Sequence, residues 1–412
     1  MAIVFGYDVW LPDGPLGNGN LHLDWYRRDG SLPYKIGGIY FSLRDAGVGN
    51  PLPISLVTTR FVYAMATASN IAQFFAASQS DATAMFHGMS AQALAALRDR
   101  RAILLLDCGT EGDCNNFDYV FTRIYEACKA MEFALADVIF ACGNLDCQTF
   151  HAQWLSQHQS SDTIAVRPVN AFRQFIGTRI RMRPGNFVDE PAVHRNRGKH
   201  FLCYNRRPRT HRFVVASQLL KHLSKTHLSF PPRDFSEKMT ASWQPDHPTL
   251  ADDLQHLDAL RPLIVDQEDF ETNHALTHVA WPYLDSYISL TTETVFEDSL
   301  GVFLSEKTYR PIANLQPFIL IGSPCSLRYL REMGFRTFAP FIDERYDEEL
   351  DHQRRMMLIL AEIDRLAAMP LDVIHNWYCS ILPDLRHNKQ LLLDTPDQYA
   401  DVTEVLVKKL ND

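Results

Sequence analysis

The chain has 412 residues, 46% of them hydrophobic and 22% charged, which excludes a disordered polymer, a fibre or a small disulfide scaffold and allows two or three domains. Forty Lys and Arg against 49 Asp and Glu give a net charge of −9, so the molecule as a whole is not built to coat nucleic acid. A charge-free apolar run of about 18 residues is absent, which excludes a helical membrane span.

The opening MAIVFGYDVW has no basic stretch and reaches Asp8 early, which argues against an export signal. Eight cysteines with no CxxC pair argue against a zinc ribbon and for reduced thiols, several of them in the core. Together these features predict a cytoplasmic protein.

The glycine-rich PDGPLGNGN at 12–20 reads either as a loop that lets backbone approach a ligand or as a plain surface turn. Short apolar runs at 52–57, 102–106 (AILLL) and 138–141 (VIFA) read as strands, and stretches near 60–77, 90–99, 117–134 and 146–157 read as helices. Strand, polar loop and helix in repetition are the sequence form of a parallel α/β layout. Residues 158–200 break the rhythm, and the polar PGNFVDEPAVHRNRGKH at 184–200 is the expected domain boundary. The rhythm restarts with KHFLCY at 199–204 as a strand and 212–225 as an amphipathic helix. A loop-rich stretch at 226–262 follows, then a short apolar run at 263–265 and the strand SYISL at 286–290. A helix near 305–315, the strand PFILI at 317–321, a helix at 325–333 and a helical run from 348 to 369 come next. The fold class expected is α/β, with two Rossmann-like domains over 1–190 and 196–370 and a helical C-terminal tail over 371–412.

Two turns carry the chemistry. Within 286–324 (SYISLTTETVFEDSLGVFLSEKTYRPIANLQPFILIGSP), Ser305 is a suitable N-cap for a helix that opens beyond a strand. Glu306 and Lys307 then lie in its first turn, with Arg310 one turn on and Pro311 marking a kink or an early end. A helix N-terminus at the carboxyl end of a parallel sheet seats phosphate; a Glu there accepts from a ribose diol, and a Lys neutralises phosphate charge. Taken alone, the same residues also fit an ordinary capped surface helix.

The second turn is YNRRPRTHR at 204–212, which places Asn205, Arg206, Arg207, Arg209, His211 and Arg212 between a strand and a helix. So many cations in one turn repel each other unless they fan into solvent or face an anion. In an acidic protein, at the ligand end of an α/β sheet, the anion reading is preferred.

The stretch 286–324 resembles the donor-binding half of fucosyltransferases of the GT-B fold. There a strand, an acidic or polar loop, a (T/S)EK helix start and a buried strand ending in a Gly-Ser/Pro turn follow one another. HFLCYNRRPRTHRFVVASQL is similar to the strand, polar loop and Arg-opened helix of the same family. The EKTYRPI…PFILIG segment is also similar to one in a loosely related set of phage and bacterial proteins. The resemblance covers roughly 200–345. It implies two domains facing a cleft, with the tail returning onto the first. It also implies inverting transfer of a sugar from a nucleotide-diphosphate sugar to an acceptor hydroxyl, on a saccharide or another molecule. Glu306 would lie on the nucleotide ribose and Lys307 and Arg212 on the diphosphate, with Asn205, Arg207 and Arg310 beside them.

A DxD motif in a suitable loop is lacking, FEDS at 296–299 being the nearest, so neither a metal nor another cofactor is expected. Lys and Arg must then take the charge of the departing diphosphate. The base an inverting transfer needs is sought in the first domain, in LLLDCGTEGDCNNFD at 104–118, where Glu111 ranks first, Asp113 second and Asp107 third. Asp146 and His22 are lesser candidates. A different reading makes the basic 195–212 segment a nucleic-acid contact, so a nucleic-acid-binding protein or a nucleic-acid acceptor stays open. A phosphotransferase is disfavoured, since the P-loop and kinase signatures are missing.

Overall fold

The structure, a computed structural model, describes residues 3–7, 49–66, 81–86, 89–112, 116–189, 192–205, 209–230, 243, 247–260, 263–265, 279–296 and 301–411. The fold is α/β and divides into two compact units. Among the described residues, no helix is long and apolar enough to cross a membrane.

Unit 1 holds the chain up to Ala171, a short stretch ending at Phe303, and everything from Pro396 on. Its strands are β1 (Ile3–Tyr7), β2 (Gly49–Pro53), β3 (Phe61–Ala66), β4 (Ala102–Cys108), β5 (Val138–Cys142) and β6 (Ala165–Pro168). They form one sheet in the order β2-β1-β3-β4-β5-β6, every pair parallel. β4 and β5 are buried along their whole length, which explains their unbroken apolar runs: a parallel strand covered on both faces has no solvated side. α1 (Ala91–Arg98), α2 (Phe117–Ala130) and α3 (Cys147–His158) lie between strands in the chain. The Ser90 side chain caps α1 by accepting from the Ala93 N–H, and Asn116 caps α2 by accepting from Tyr119. The chain's final helix, Ala400–Asn411, lies against β4 and β6, anchored where Arg60 donates to the Lys409 carbonyl and Lys409 Nζ to that of Ala136.

Two elements of unit 1 differ from the sequence reading. Residues 61–66, expected within a helix, are β3 and pair with β4 from Phe61↔Ala102 to Ala66↔Asp107. An apolar segment lodged inside a sheet has no polar face, so its periodicity does not separate helix from strand. The α/β rhythm also continues through 158–182. β6 is an edge strand, only partly buried, whose AVRP sequence forms no apolar run, and α4 (Ala171–Met182) follows it.

Unit 2 holds the chain from Phe172 to Asp298 and from Leu304 to Thr395. The division thus falls after the first residue of α4, earlier than the 184–200 segment. α4 belongs here because Gly177 lets it approach a neighbouring helix closely; a Cβ at that position would stand 2.4 Å from the Leu392 carbonyl oxygen. β7 (Lys199–Tyr204), β8 (Thr226–Ser229), β9 (Ser286–Thr292) and β10 (Phe318–Ile321) form a second all-parallel sheet in the order β10-β9-β7-β8. The helices are α5 (Thr210–Leu220), α6 (Leu250–Ala259), α7 (Trp281–Asp285), α8 (Glu306–Ala313), α9 (Ser326–Glu332), α10 (His352–Ala367), α11 (Leu371–Ser380) and α12 (Leu382–Leu393). The tail therefore divides: α11 and α12 stay in unit 2 and only the last helix joins unit 1. Tyr378 on α11 donates to the Leu315 carbonyl at 2.9 Å, and Trp377 stacks on Phe341 at 4.0 Å, which fixes α11 to its own unit.

Candidate functional site

In unit 2 the chain leaves β7 through α5 to reach β8 on one side, and leaves β9 through α8 to reach β10 on the other. The order of connection reverses between β7 and β9. An open parallel sheet gathers ligands outside the carboxyl ends of its strands at such a reversal. The carboxyl ends in question are Tyr204 and Thr292, and the two turns singled out in the sequence stand there.

Immediately after β9, Glu293 is fully buried and acts as a clasp. One carboxylate oxygen accepts from the Ser305 N–H at 2.9 Å and the Thr308 hydroxyl at 2.6 Å. The other accepts from the Ser305 hydroxyl at 2.6 Å and the Thr294 N–H at 3.1 Å. Four donors fix the strand end to the start of α8. Ser305 caps α8 as expected, its Oγ accepting from the Lys307 N–H at 3.3 Å. The Thr308 N–H goes to the Ser305 carbonyl. The first-turn amides are thus largely engaged, and the charged side chains are what this turn offers a ligand. α8 ends early, at Ala313, where the Asn314 side chain donates to the Arg310 carbonyl at 2.8 Å; Pro311 sits in its second turn.

Those side chains form one electrostatic group. Lys307 Nζ lies 3.0 Å from Ser305 Oγ and 3.2 Å from the Glu306 carboxylate. Burial pushes Glu306 towards protonation, but Lys307 and Arg310 outweigh it and hold the carboxyl down at about 2, so Glu306 is an anion at neutral pH. Lys307 is 24% exposed and Glu306 13%, enough to meet a ligand.

From the other turn, Arg212 points inward and donates to the carbonyls of Thr292 and Glu293 at 3.2 and 3.0 Å. Burial, helped by Arg209, lowers its pKa to about 10, against the pull of Glu293 and Glu306. It remains a cation, and its field reaches Glu306. His211 donates from Nε2 to the Glu293 carbonyl at 2.9 Å and stacks on Phe296. Burial and the neighbouring Arg212 keep its imidazole neutral. Asn205 accepts from the Thr292 hydroxyl at 2.6 Å and donates to Cys203 Sγ, so it ties β7 to β9. Arg212, Glu306, Lys307, Arg310 and Asn205 are therefore brought to one end of one sheet. Arg206 and Arg207 lie outside the described residues.

Unit 1 uses its carboxylates differently. Glu111 lies in the turn after β4, its N–H bonded to the Cys108 carbonyl and its own carbonyl accepting from Gly143. Asp107 is buried and accepts from the Gly109 N–H at 3.0 Å and the Tyr399 hydroxyl at 3.5 Å. Asp146 accepts from the Val302 N–H at 2.8 Å. Residues 301–303 are seated against this turn: a Cβ on Gly112 would stand 2.2 Å from the Phe303 ring, and Gly301 has φ +70°. Asp113 and His22 lie outside the described residues, as does the 12–20 loop.

No protein-family model and no curated protein sequence matches the chain. Six solved chains match it in structure. One is an alpha,alpha-trehalose 6-phosphate synthase from Burkholderia multivorans, 12% identical over 99% of this chain and 98% of that one, with TM-score 0.40. A UDP-forming synthase from Burkholderia vietnamiensis is 14% identical over 74% and 69%, TM-score 0.35. Another, from Burkholderia xenovorans, is 12% identical over 99% of both, TM-score 0.39. The likeness is loose.

Glu293 is the residue the sequence reading passed over. Its signal was present in TTET, a lone carboxylate one residue beyond a buried strand, but TTETVFED holds two further acids and nothing in the string shows which one turns inward.

Proposed function

We propose that the protein is a glycosyltransferase that moves a sugar from a nucleotide-diphosphate sugar to an acceptor hydroxyl, with inversion and without a metal. The observation that carries this reading is the meeting of Arg212, Glu306, Lys307 and Arg310 at the β7/β9 reversal. The resemblance of 286–324 to the donor half of GT-B fucosyltransferases supports it.

Glu306, held ionised, is suited to accept from the two ribose hydroxyls. Lys307 and Arg310 supply positive charge where the diphosphate leaves; Arg212, behind them, adds to the field without direct contact. In the transfer the acceptor oxygen bonds to the anomeric carbon, the bond from that carbon to the diphosphate oxygen breaks, and the hydroxyl proton passes to a carboxylate base. We assign that base to Glu111, with Asp113 as the second choice. Within 195–212, Arg197, His211 and Arg212 are buried and so are not offered to a nucleic acid.

The test is a thermal-shift series with UDP, GDP, CMP and dTDP. A nucleotide that binds the native state at a hundred times its Kd stabilises it by about 2.7 kcal/mol, a shift of several degrees. One of the four should give that shift in the native chain and fail to do so in Lys307→Ala. No shift with any of them overturns the donor-site reading.

A further inference from the structure

A second cluster lies at the other end of β9. α11 carries His375 and Cys379 one turn apart, both half-buried. Cys379 Sγ is 3.6 Å from His375 Nε2. On the far side of the ring, His375 Nδ1 is 2.9 Å from the hydroxyl of Tyr287, a buried residue next to the amino end of β9. That hydroxyl accepts the Arg197 N–H at 3.1 Å. The imidazole thus bridges the Tyr287 hydroxyl and the Cys379 sulfur through its two ring nitrogens. A ring nitrogen beside a thiol can take its proton, or donate to the sulfur, as the sulfur attacks. The ring is held in this pose: Tyr287 packs edge-on against it at 5.9 Å, and Tyr287 is covered in turn by the Arg197 guanidinium.

The other described thiols are set differently. Cys108, Cys128, Cys142, Cys147 and Cys203 are buried, and burial pushes Cys128 and Cys203 up to about 12. Cys325 is comparably exposed, at the start of α9.

We propose that Cys379 is a modification site that takes a low-molecular-weight disulfide, with His375 and Tyr287 as its activating pair. The Cys379 sulfur attacks one sulfur of R–S–S–R and forms Cys379–S–S–R. The original S–S bond breaks, and the departing half leaves as R–SH with the proton that Cys379 gives up. The disulfide is the only oxidant required. The cluster is independent of the β7/β9 site, and the proposal does not depend on the donor-site reading.

The experiment incubates the full chain with glutathione disulfide at neutral pH and follows each cysteine peptide by mass spectrometry. Cys379 should gain the adduct about tenfold faster in the wild type than in His375→Ala, while the rate at Cys325 stays constant. Equal rates at Cys379 in the two proteins, or no adduct there in the wild type, overturn the proposal. New adducts at the buried cysteines would mark unfolding of His375→Ala. Tyr287→Phe, which keeps the ring and loses only the hydroxyl, then decides: a slower Cys379 supports the proposal and an unchanged one rejects it.

Discussion

At the carboxyl ends of β7 and β9, one buried carboxylate, Glu293, positions a helix start whose Glu306 and Lys307 remain in reach of solvent. At the carboxyl ends of β4 and β5, Asp107 and Asp146 bind backbone and a tyrosine, and glycines admit Phe303 against the turn. Both ends are stapled by acids. In unit 2 the staple leaves paired charges facing outward, and in unit 1 it builds a close-packed floor in which Asp107 is buried while Glu111 and Asp146 are partly exposed. Among the described residues, the half-buried Glu306–Lys307 pair stands at the second sheet. The reversal of the first sheet falls between β1 and β3, whose following loops lie outside the described residues.

The sharpest way to break this contrast is to remove the outward charges. Lys307→Ala and Glu306→Ala should each lower transfer about 10³-fold, far more than the stability lost with their ion pair accounts for while the chain stays folded; wild-type turnover in either rejects the assignment. Glu111→Gln should cost about 10²-fold in kcat while nucleotide affinity, read by thermal shift, stays constant. Full activity in that variant rejects Glu111 as the base.

The staples should differ in strength. Glu293→Ala leaves four donors without their acceptor and should destabilise the protein by about 3 kcal/mol in denaturant unfolding. Tyr399→Phe, which removes one bond to Asp107, should cost only about 1 kcal/mol. A larger loss from Tyr399→Phe than from Glu293→Ala would reverse the ranking of the two ends.

A further effect is confined to acid. The Glu306 carboxyl titrates from 4.5 in the unfolded chain down to about 2 in the folded one, so the folded state binds fewer protons across that interval. Its contribution is complete above pH 4.5 and declines as the pH falls towards 2. Glu306→Gln should therefore show a flatter loss of stability over that range. An acid limb identical to the wild type would contradict the strong pairing with Lys307 and Arg310.

Much of this was legible in the string. AILLL, VIFA, KHFLCY and PFILI are strands because parallel sheets bury both faces, and Ser305 announces its helix through cap chemistry. Strand β3 was misread because FVYAMA has no polar residue to set a period, and β6 escaped notice because Arg167 and Pro168 interrupt it. The turn 204–212 read as a uniform basic patch, yet Arg212 and His211 turn inward to backbone carbonyls of β9's end, some eighty positions away. Such pairings depend on the order β9-β7 in the sheet, which no local pattern encodes.

The backbone changes allegiance after Ala171, Asp298, Phe303 and Thr395. Splitting the gene near codon 190 would consequently sever more than a linker. An N-terminal fragment would lack Phe303 against Gly112, Tyr399 against Asp107 and the last helix that Arg60 secures. Fragment complementation should succeed only when that distal helix travels with the first sheet, and domain exchange with another protein would have to carry three separate stretches together.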